Sequence, residues 1–142
     1  MLAHLRIARA TDHLEEIVRF YCEGLGFEVI DEFRNHDGFD GVMLGHEGAG
    51  YHLEFTHEGG GSAPPNDEES LFVFYLPDAR IFQDAIARLA NLGHPTVTSH
   101  NPYWDRNGRT YEDPDGYRVV LCHGAWENRP RGSSRIAPDG SS

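Results

Sequence analysis

GYHLEF at residues 50–55 returns as GYRVVL at residues 116–121, an offset of 66 residues. Two helix-like runs repeat at nearly the same offset, one from Asp12 to Gly26 and the other from Asp78 to Gly93. The sequence therefore predicts an internal duplication, in which one structural module occurs twice along the chain. Because duplicated modules usually pack about a pseudo-twofold axis, the repeat predicts a cleft between the halves as the place to look for function.

Caps, turns and apolar spacing predict the same element order in both modules. In module one, Asp12 and Glu15 have the spacing of a capping box for a helix that Gly26 ends. In module two, Asp78 begins the helix and Gly93 ends it. Strands are predicted at 5–10, 27–33, 42–44 and 51–56, and again at 71–76, 95–99, 108–112 and 117–122. Each module is therefore βαβββ.

The length of 142 residues favours a single domain, which we place at 1–128. Module one occupies 1–58 and module two 70–124. Between them, residues 59–69 combine Gly, Pro and acidic side chains, a composition typical of a linker. The last residues, 129–142, are rich in Gly, Ser, Pro and Arg and are predicted to form a disordered tail.

Composition excludes several classes of partner. A net charge of −11 argues against nucleic acids and anionic membranes, since both require a basic surface. No apolar run approaches a membrane span, and no signal-peptide core is present near the start. Cys22 and Cys122 lie in apolar runs without metal or redox spacing. A reduced, cytoplasmic setting fits these features best.

Short motifs in both modules resemble those of the vicinal oxygen chelate superfamily, which groups glyoxalases, bleomycin-resistance proteins, extradiol dioxygenases and fosfomycin-resistance enzymes. The motifs are at 20–21 and 24–27 in module one, and at 101–104 and 113–117 in module two. The likeness covers about 5–124 and is specific for the fold, but weak for the reaction. It implies an α+β fold whose two βαβββ modules form a half-open mixed β barrel with flanking helices. It also implies a possible homodimer.

In enzymatic members, the resemblance implies a divalent metal held by the first and last strands of each module. The corresponding slots here are Leu5, Glu54, Leu71 and Val120. A register error of one residue would move the two first-strand slots to Arg6 and Phe72. Glu54 alone carries a ligating side chain, whereas a catalytic site needs about three protein ligands. Glu54 and His52 share a strand face. A site for Zn, Ni, Mn or Fe that uses these two residues therefore remains an alternative. His4 and His57 are the candidates for its further ligands.

Glu54 has two other interpretations. A carboxylate facing a half-buried cleft needs a partner, which Arg118 or Arg9 would supply as an ion pair. Without a partner, Glu54 would have a raised pKa and act as a general base.

Aromatic side chains cluster around the long connection of module two. By resemblance, this connection faces the open mouth of the barrel, where its aromatics would stack on a planar or cationic ligand. The alternative is that they plug the fold or form a dimer contact. The set is His100, Tyr103, Trp104 and Tyr111.

These observations favour a pocket, similar to that of the bleomycin-resistance branch, that binds a small organic molecule without metal or other cofactor. One alternative is a metal-dependent lyase, isomerase, dioxygenase or thiol transferase that uses Glu54. Another is an occluded cleft in a domain that works through a protein partner. The sequence does not establish catalysis.

Overall fold

The computed structural model describes residues 3–128, and the predicted tail at 129–142 lies outside the described residues. The chain divides into two compact units, Met1–Asn66 (unit one) and Asp67–Ser142 (unit two). Within the described residues, no helix is long and apolar enough to cross a membrane.

Unit one holds a four-stranded mixed sheet and one helix. The strands are β1 (Leu5–Ala10), β2 (Glu28–His36), β3 (Phe39–Gly45) and β4 (Tyr51–Glu58), and the helix is α1 (Leu14–Arg19). A π-helical turn at Phe20–Gly24 continues α1. The sheet order is β1-β4-β3-β2, in which β1 runs parallel to β4 and the other pairs are antiparallel.

Unit two repeats this plan. Its strands are β5 (Leu71–Leu76), β6 (Thr96–Val97), β7 (Gly108–Glu112) and β8 (Arg118–His123), in the order β5-β8-β7-β6. The helices are α2 (Ala79–Asn91) and the single turn α3 (Tyr103–Arg106). The α+β class and the two βαβββ modules predicted from the repeat are therefore confirmed.

The two predicted helix caps have different outcomes. Asp78 caps α2, since its carboxylate accepts hydrogen bonds from the backbone N–H groups of Arg80 and Ile81. The capping box at Asp12 is wrong, because the N-cap of α1 is His13 and no side chain caps that helix. The Asp12 carboxylate instead accepts a 2.9 Å hydrogen bond from the backbone N–H of Ala63, far along the chain.

The α1 segment and α2 each cover one face of the sheet in their own unit. In unit one, the ring of Tyr21, which follows α1, lies 5.0 Å from that of Phe55 on β4. In unit two, Phe82 of α2 stacks on His123 of β8 at 5.4 Å. Because side chains alternate along a strand, residues one position away from Phe55 and His123 project from the opposite face. Glu54 and Cys122 are such residues. The candidate site lies on these faces, the one opposite α1 in unit one (the helix-free face) and the one opposite α2 in unit two, which α3 approaches at Gly108.

Candidate functional site

The helix-free face of unit one gathers four polar side chains, three from β1 and β4 and one from the residue just before β1. Glu54 and His52 lie two residues apart on β4 and therefore share this face. Parallel pairing of β1 with β4 places Arg6 opposite His52 and Ala8 opposite Glu54. His4, just before β1, completes the group through its contact with His52.

The pairing register corrects the expected position of the first-strand slot. Leu5 lies opposite Tyr51 in β4, so Arg6 and not Leu5 shares the face of Glu54. In unit two, Leu71 lies opposite Arg118 and does share the face of Val120. The structural counterpart of Leu71 is therefore Arg6. The resemblance places each first-strand slot at a fixed distance before the helix cap. Because the cap of α1 is His13 and not Asp12, the slot moves from Leu5 to Arg6.

Arg6 lies between the two candidate ligands. Its Nε donates a 2.8 Å hydrogen bond to Nε2 of His52, and its Nη1 lies 3.5 Å from Oε2 of Glu54. The Arg6 side chain is 50% exposed and that of Glu54 is 14% exposed. The ion-pair interpretation of Glu54 thus gains a partner that differs from the two proposed from the sequence. Arg9 pairs in register with Phe55, on the α1 side of the sheet.

The hydrogen bonds of His52 determine its tautomer. Its Nε2 accepts from Arg6, so the proton of the neutral ring is on Nδ1. That Nδ1 lies 2.6 Å from Nε2 of His4 and donates to it. Desolvation, the positive charge of Arg6 and the neighbouring His4 lower the pKa of His52, and Glu54 opposes them. His52 is therefore a neutral link between Arg6 and His4 at pH 7.

This arrangement predicts an acid-sensitive contact. Because the pKa of His52 is lower in the folded protein than in the unfolded chain, its stabilising contribution is complete above about pH 6.5 and is lost as the pH falls through the folded pKa. NMR titration of the His52 ring should therefore give a pKa below about 6.5. In Arg6→Ala, the pKa of His52 should rise. An unchanged pKa in that variant would contradict the Arg6 contact.

The donor set of this face does not fit a divalent metal. Both ring nitrogens of His52 are engaged, and the guanidinium of Arg6 would repel a divalent cation beside Glu54. His57 is directed elsewhere, with its Nδ1 3.0 Å from the carbonyl oxygen of Thr11. Across residues 3–128, no group of three or more His, Cys, Asp or Glu side chains is arranged to hold a metal ion.

Arg118 is the charged centre of the face of unit two that lies opposite α2. Its side chain is only 9% exposed. Its Nη1 donates to the carbonyl oxygen of Thr98 at 3.1 Å. Its Nη2 lies 3.4 Å from Oε2 of Glu112 and 3.7 Å from Oε1 of Glu68. The sequence analysis predicted that Arg118 is a pocket residue, but it did not predict Glu112 and Glu68 as its carboxylate partners.

The aromatic set of unit two is spread over separate environments. Tyr103 and Trp104 of α3 form an edge-to-face pair at 4.9 Å and are half-buried. Tyr111 is buried opposite Val119, and burial raises the pKa of its hydroxyl. His100 faces two acidic side chains at 3.6 and 3.8 Å, those of Glu68 and Glu69. Tyr111 thus packs in the core, whereas the α3 pair retains exposed surface.

Sequence comparison identifies the family. Residues 5–56 match the YycE-like N-terminal domain, and residues 69–123 match the YycE-like C-terminal domain. Over 122 residues, the chain is 51% identical to the uncharacterized protein YycE of Bacillus subtilis (strain 168), covering 85% of this chain and 88% of that protein. The chain belongs to the YycE-like family. This YycE-like chain thus spans most of the length of its relative.

Solved structures agree with this family at the level of the fold. A YycE protein of unknown function from Bacillus subtilis matches with a TM-score of 0.81 at 46% identity, covering 93% of this chain and 95% of that one. The trypanothione-dependent glyoxalase I of Leishmania major matches with a TM-score of 0.67 at 21% identity, covering 84% and 85%. The YycE-like chain therefore has the fold of the vicinal oxygen chelate superfamily, which confirms the resemblance drawn from its motifs.

Proposed function

We propose that this YycE-like protein binds a small organic molecule without a divalent metal, and that Arg6 supplies the positive charge on the helix-free face of unit one. One observation carries the proposal: the guanidinium of Arg6 lies between His52 and Glu54, the two residues that would have held a metal in the alternative interpretation. A fixed guanidinium attracts the same electronegative ligand atoms that a metal ion attracts.

The contacts of Arg6 suit it to this task. Glu54 and His52 engage its Nη1 and Nε, and these contacts hold the plane of the guanidinium. The guanidinium has five N–H groups, so further donors face the solvent on a half-exposed side chain. These donors favour a ligand with a carboxylate or similar planar oxygen pair, which an arginine binds with two parallel hydrogen bonds.

A screen of small organic acids, amides and amines by thermal shift tests the proposal, since a ligand specific for the native state raises the Tm. Compounds that stabilise the wild type should bind Arg6→Ala about 10- to 100-fold more weakly, because a hydrogen bond to a charged group contributes about 1.5–3 kcal/mol. Arg34→Ala is the matched control. Arg34 is also a half-exposed arginine of unit one, paired with Asp40 at 3.8 Å, and its removal should leave binding unchanged.

The alternatives predict different results. Stoichiometric zinc, nickel, manganese or iron in protein purified without a His tag, lost in Glu54→Ala, would overturn the metal-free proposal in favour of a metalloenzyme. A screen in which no compound stabilises the wild type would favour an occluded face and a protein partner. Equal loss of binding in Arg6→Ala and Arg34→Ala would mean that general charge, and not the Arg6 site, drives the association.

A further inference from the structure

The guanidinium of Arg118 in unit two is deeply buried and poorly paired. Two carboxylates, from Glu112 and Glu68, lie near a single nitrogen, Nη2, at 3.4 and 3.7 Å. The adjacent Nε–H of Arg118 is also buried and has no hydrogen-bond partner among the described residues. Arginine pairs best with a carboxylate through two parallel bonds of about 2.7–2.9 Å. Nε and Nη2 form one edge of such a fork, and this edge is left incompletely used.

Of the two carboxylates, Glu112 belongs to the fixed framework. It lies on β7 directly opposite Arg118 in the antiparallel register. Glu68 precedes β5, and its side chain is 64% exposed. Its contact with Arg118 is also the longer of the two. Glu68 is therefore the partner that can leave without a change in the sheet.

The turn that carries Glu68 does not depend on that side chain. The carboxylate of Asp67 accepts hydrogen bonds from the backbone N–H groups of Glu69 and Ser70 and from the Ser70 hydroxyl, at 2.8–3.0 Å. These bonds lower the pKa of Asp67. Glu68 can therefore turn towards solvent while Asp67 holds the backbone of the turn.

The surroundings of Arg118 suit an organic anion. Leu71 lies opposite Arg118 on β5 and Val73 opposite Val120, so a half-buried apolar strip adjoins the guanidinium on the same sheet face. A ligand carboxylate that replaces the Glu68 carboxylate leaves the local charge unchanged. Its apolar body would lie along the strip, a contact that Glu68 cannot make.

We infer that Arg118 is the carboxylate-binding subsite for a small organic acid, and that Glu68 occupies it in the absence of ligand. The inference rests on the proposed small-molecule binding, for which it supplies the ligand class. It does not depend on Arg6, because every group it uses lies in unit two. The two sites can therefore succeed or fail separately.

Benzoate, with benzamide as its neutral counterpart, probes the subsite in the ¹⁵N-labelled full chain. Titration should shift the Nε–H signal of Arg118 with benzoate and not with benzamide. If Glu68 occupies the subsite about nine-tenths of the time in the wild type, only about one-tenth of the molecules are free to bind benzoate. Glu68→Gln should therefore bind benzoate about tenfold more tightly than the wild type. Glu69→Gln, in the same turn, removes a neighbouring charge that is not paired with Arg118, and should leave the affinity unchanged.

Equal benzoate affinity in the wild type, Glu68→Gln and Glu69→Gln would overturn the inference. Equally tighter binding by both variants would also overturn it, because it would show only that each variant repels the benzoate anion less than the wild type does. The same comparison in an Arg6→Ala background separates the two proposals. Tightening by Glu68→Gln that persists there supports the Arg118 subsite whatever the fate of Arg6. Binding that depends on Arg6 alone, with no shift at Arg118, would leave the proposed function standing and exclude the subsite.

Discussion

Arg6→His is expected to create a divalent-metal site on the helix-free face of unit one. The substitution removes the guanidinium beside Glu54 and places a third donor with His52 and Glu54 on the same sheet face. A unit charge 4 Å away contributes about 4 kcal/mol near a protein surface, before screening by solvent. We therefore expect nickel or zinc affinity to rise by roughly two orders of magnitude or more. Isothermal titration and metal analysis after dialysis measure the gain.

Two variants separate charge from ligation in this experiment. Arg6→Ala removes the same positive charge without adding a donor, so its gain should be much smaller. Arg34→His adds a histidine to unit one on β2, where the native arginine pairs with Asp40, and its gain should likewise be much smaller than that of Arg6→His. The argument fails if the wild type binds the metal as tightly as Arg6→His. Equal gains in Arg6→His and Arg34→His would point to unspecific histidine binding.

Gly108→Ala is expected to lower the Tm by roughly 5–10 °C. A Cβ at this position would lie 2.6 Å from the carbonyl oxygen of Trp104 and 3.0 Å from that of Leu121. Both are backbone atoms, so no rotamer change relieves the overlap, and α3 or β7 must move. Because Trp104 lies in α3, its indole NMR signal should shift as well. Thermal unfolding and the indole spectrum test both effects.

Gly50→Ala is the matched control for Gly108→Ala. No heavy atom lies within 4 Å of a Cβ built at Gly50, and its backbone is not left-handed. The same added methyl group should therefore leave the Tm unchanged or slightly higher, since alanine reduces the entropy of the unfolded chain. If the two variants melt at the same temperature, close backbone approach at Gly108 does not control the position of α3.

Short-range signals explain which parts of the fold were predictable. The bounds predicted for β1, β5 and β7 match the structure, because each is a compact β-forming run ended by turn or cap residues. Asp78 acts as predicted since its cap partners are its immediate neighbours. Asp12 has an equivalent sequence signal, but its carboxylate contacts Ala63, 51 residues away. Local spacing contains no information about such a competing partner.

The sequence by itself determined the repeat, the βαβββ order and the shared face of His52 and Glu54, because side-chain alternation along a strand is a local property. Tertiary structure decided which residues meet that pair. Parallel β1 and β4 are joined by a long crossover, so their register depends on how the intervening elements pack. A slip of one residue reverses the face of every side chain in a strand. That register puts Arg6, and not Leu5, beside Glu54, and so places a guanidinium next to the one ligating side chain among the expected metal slots.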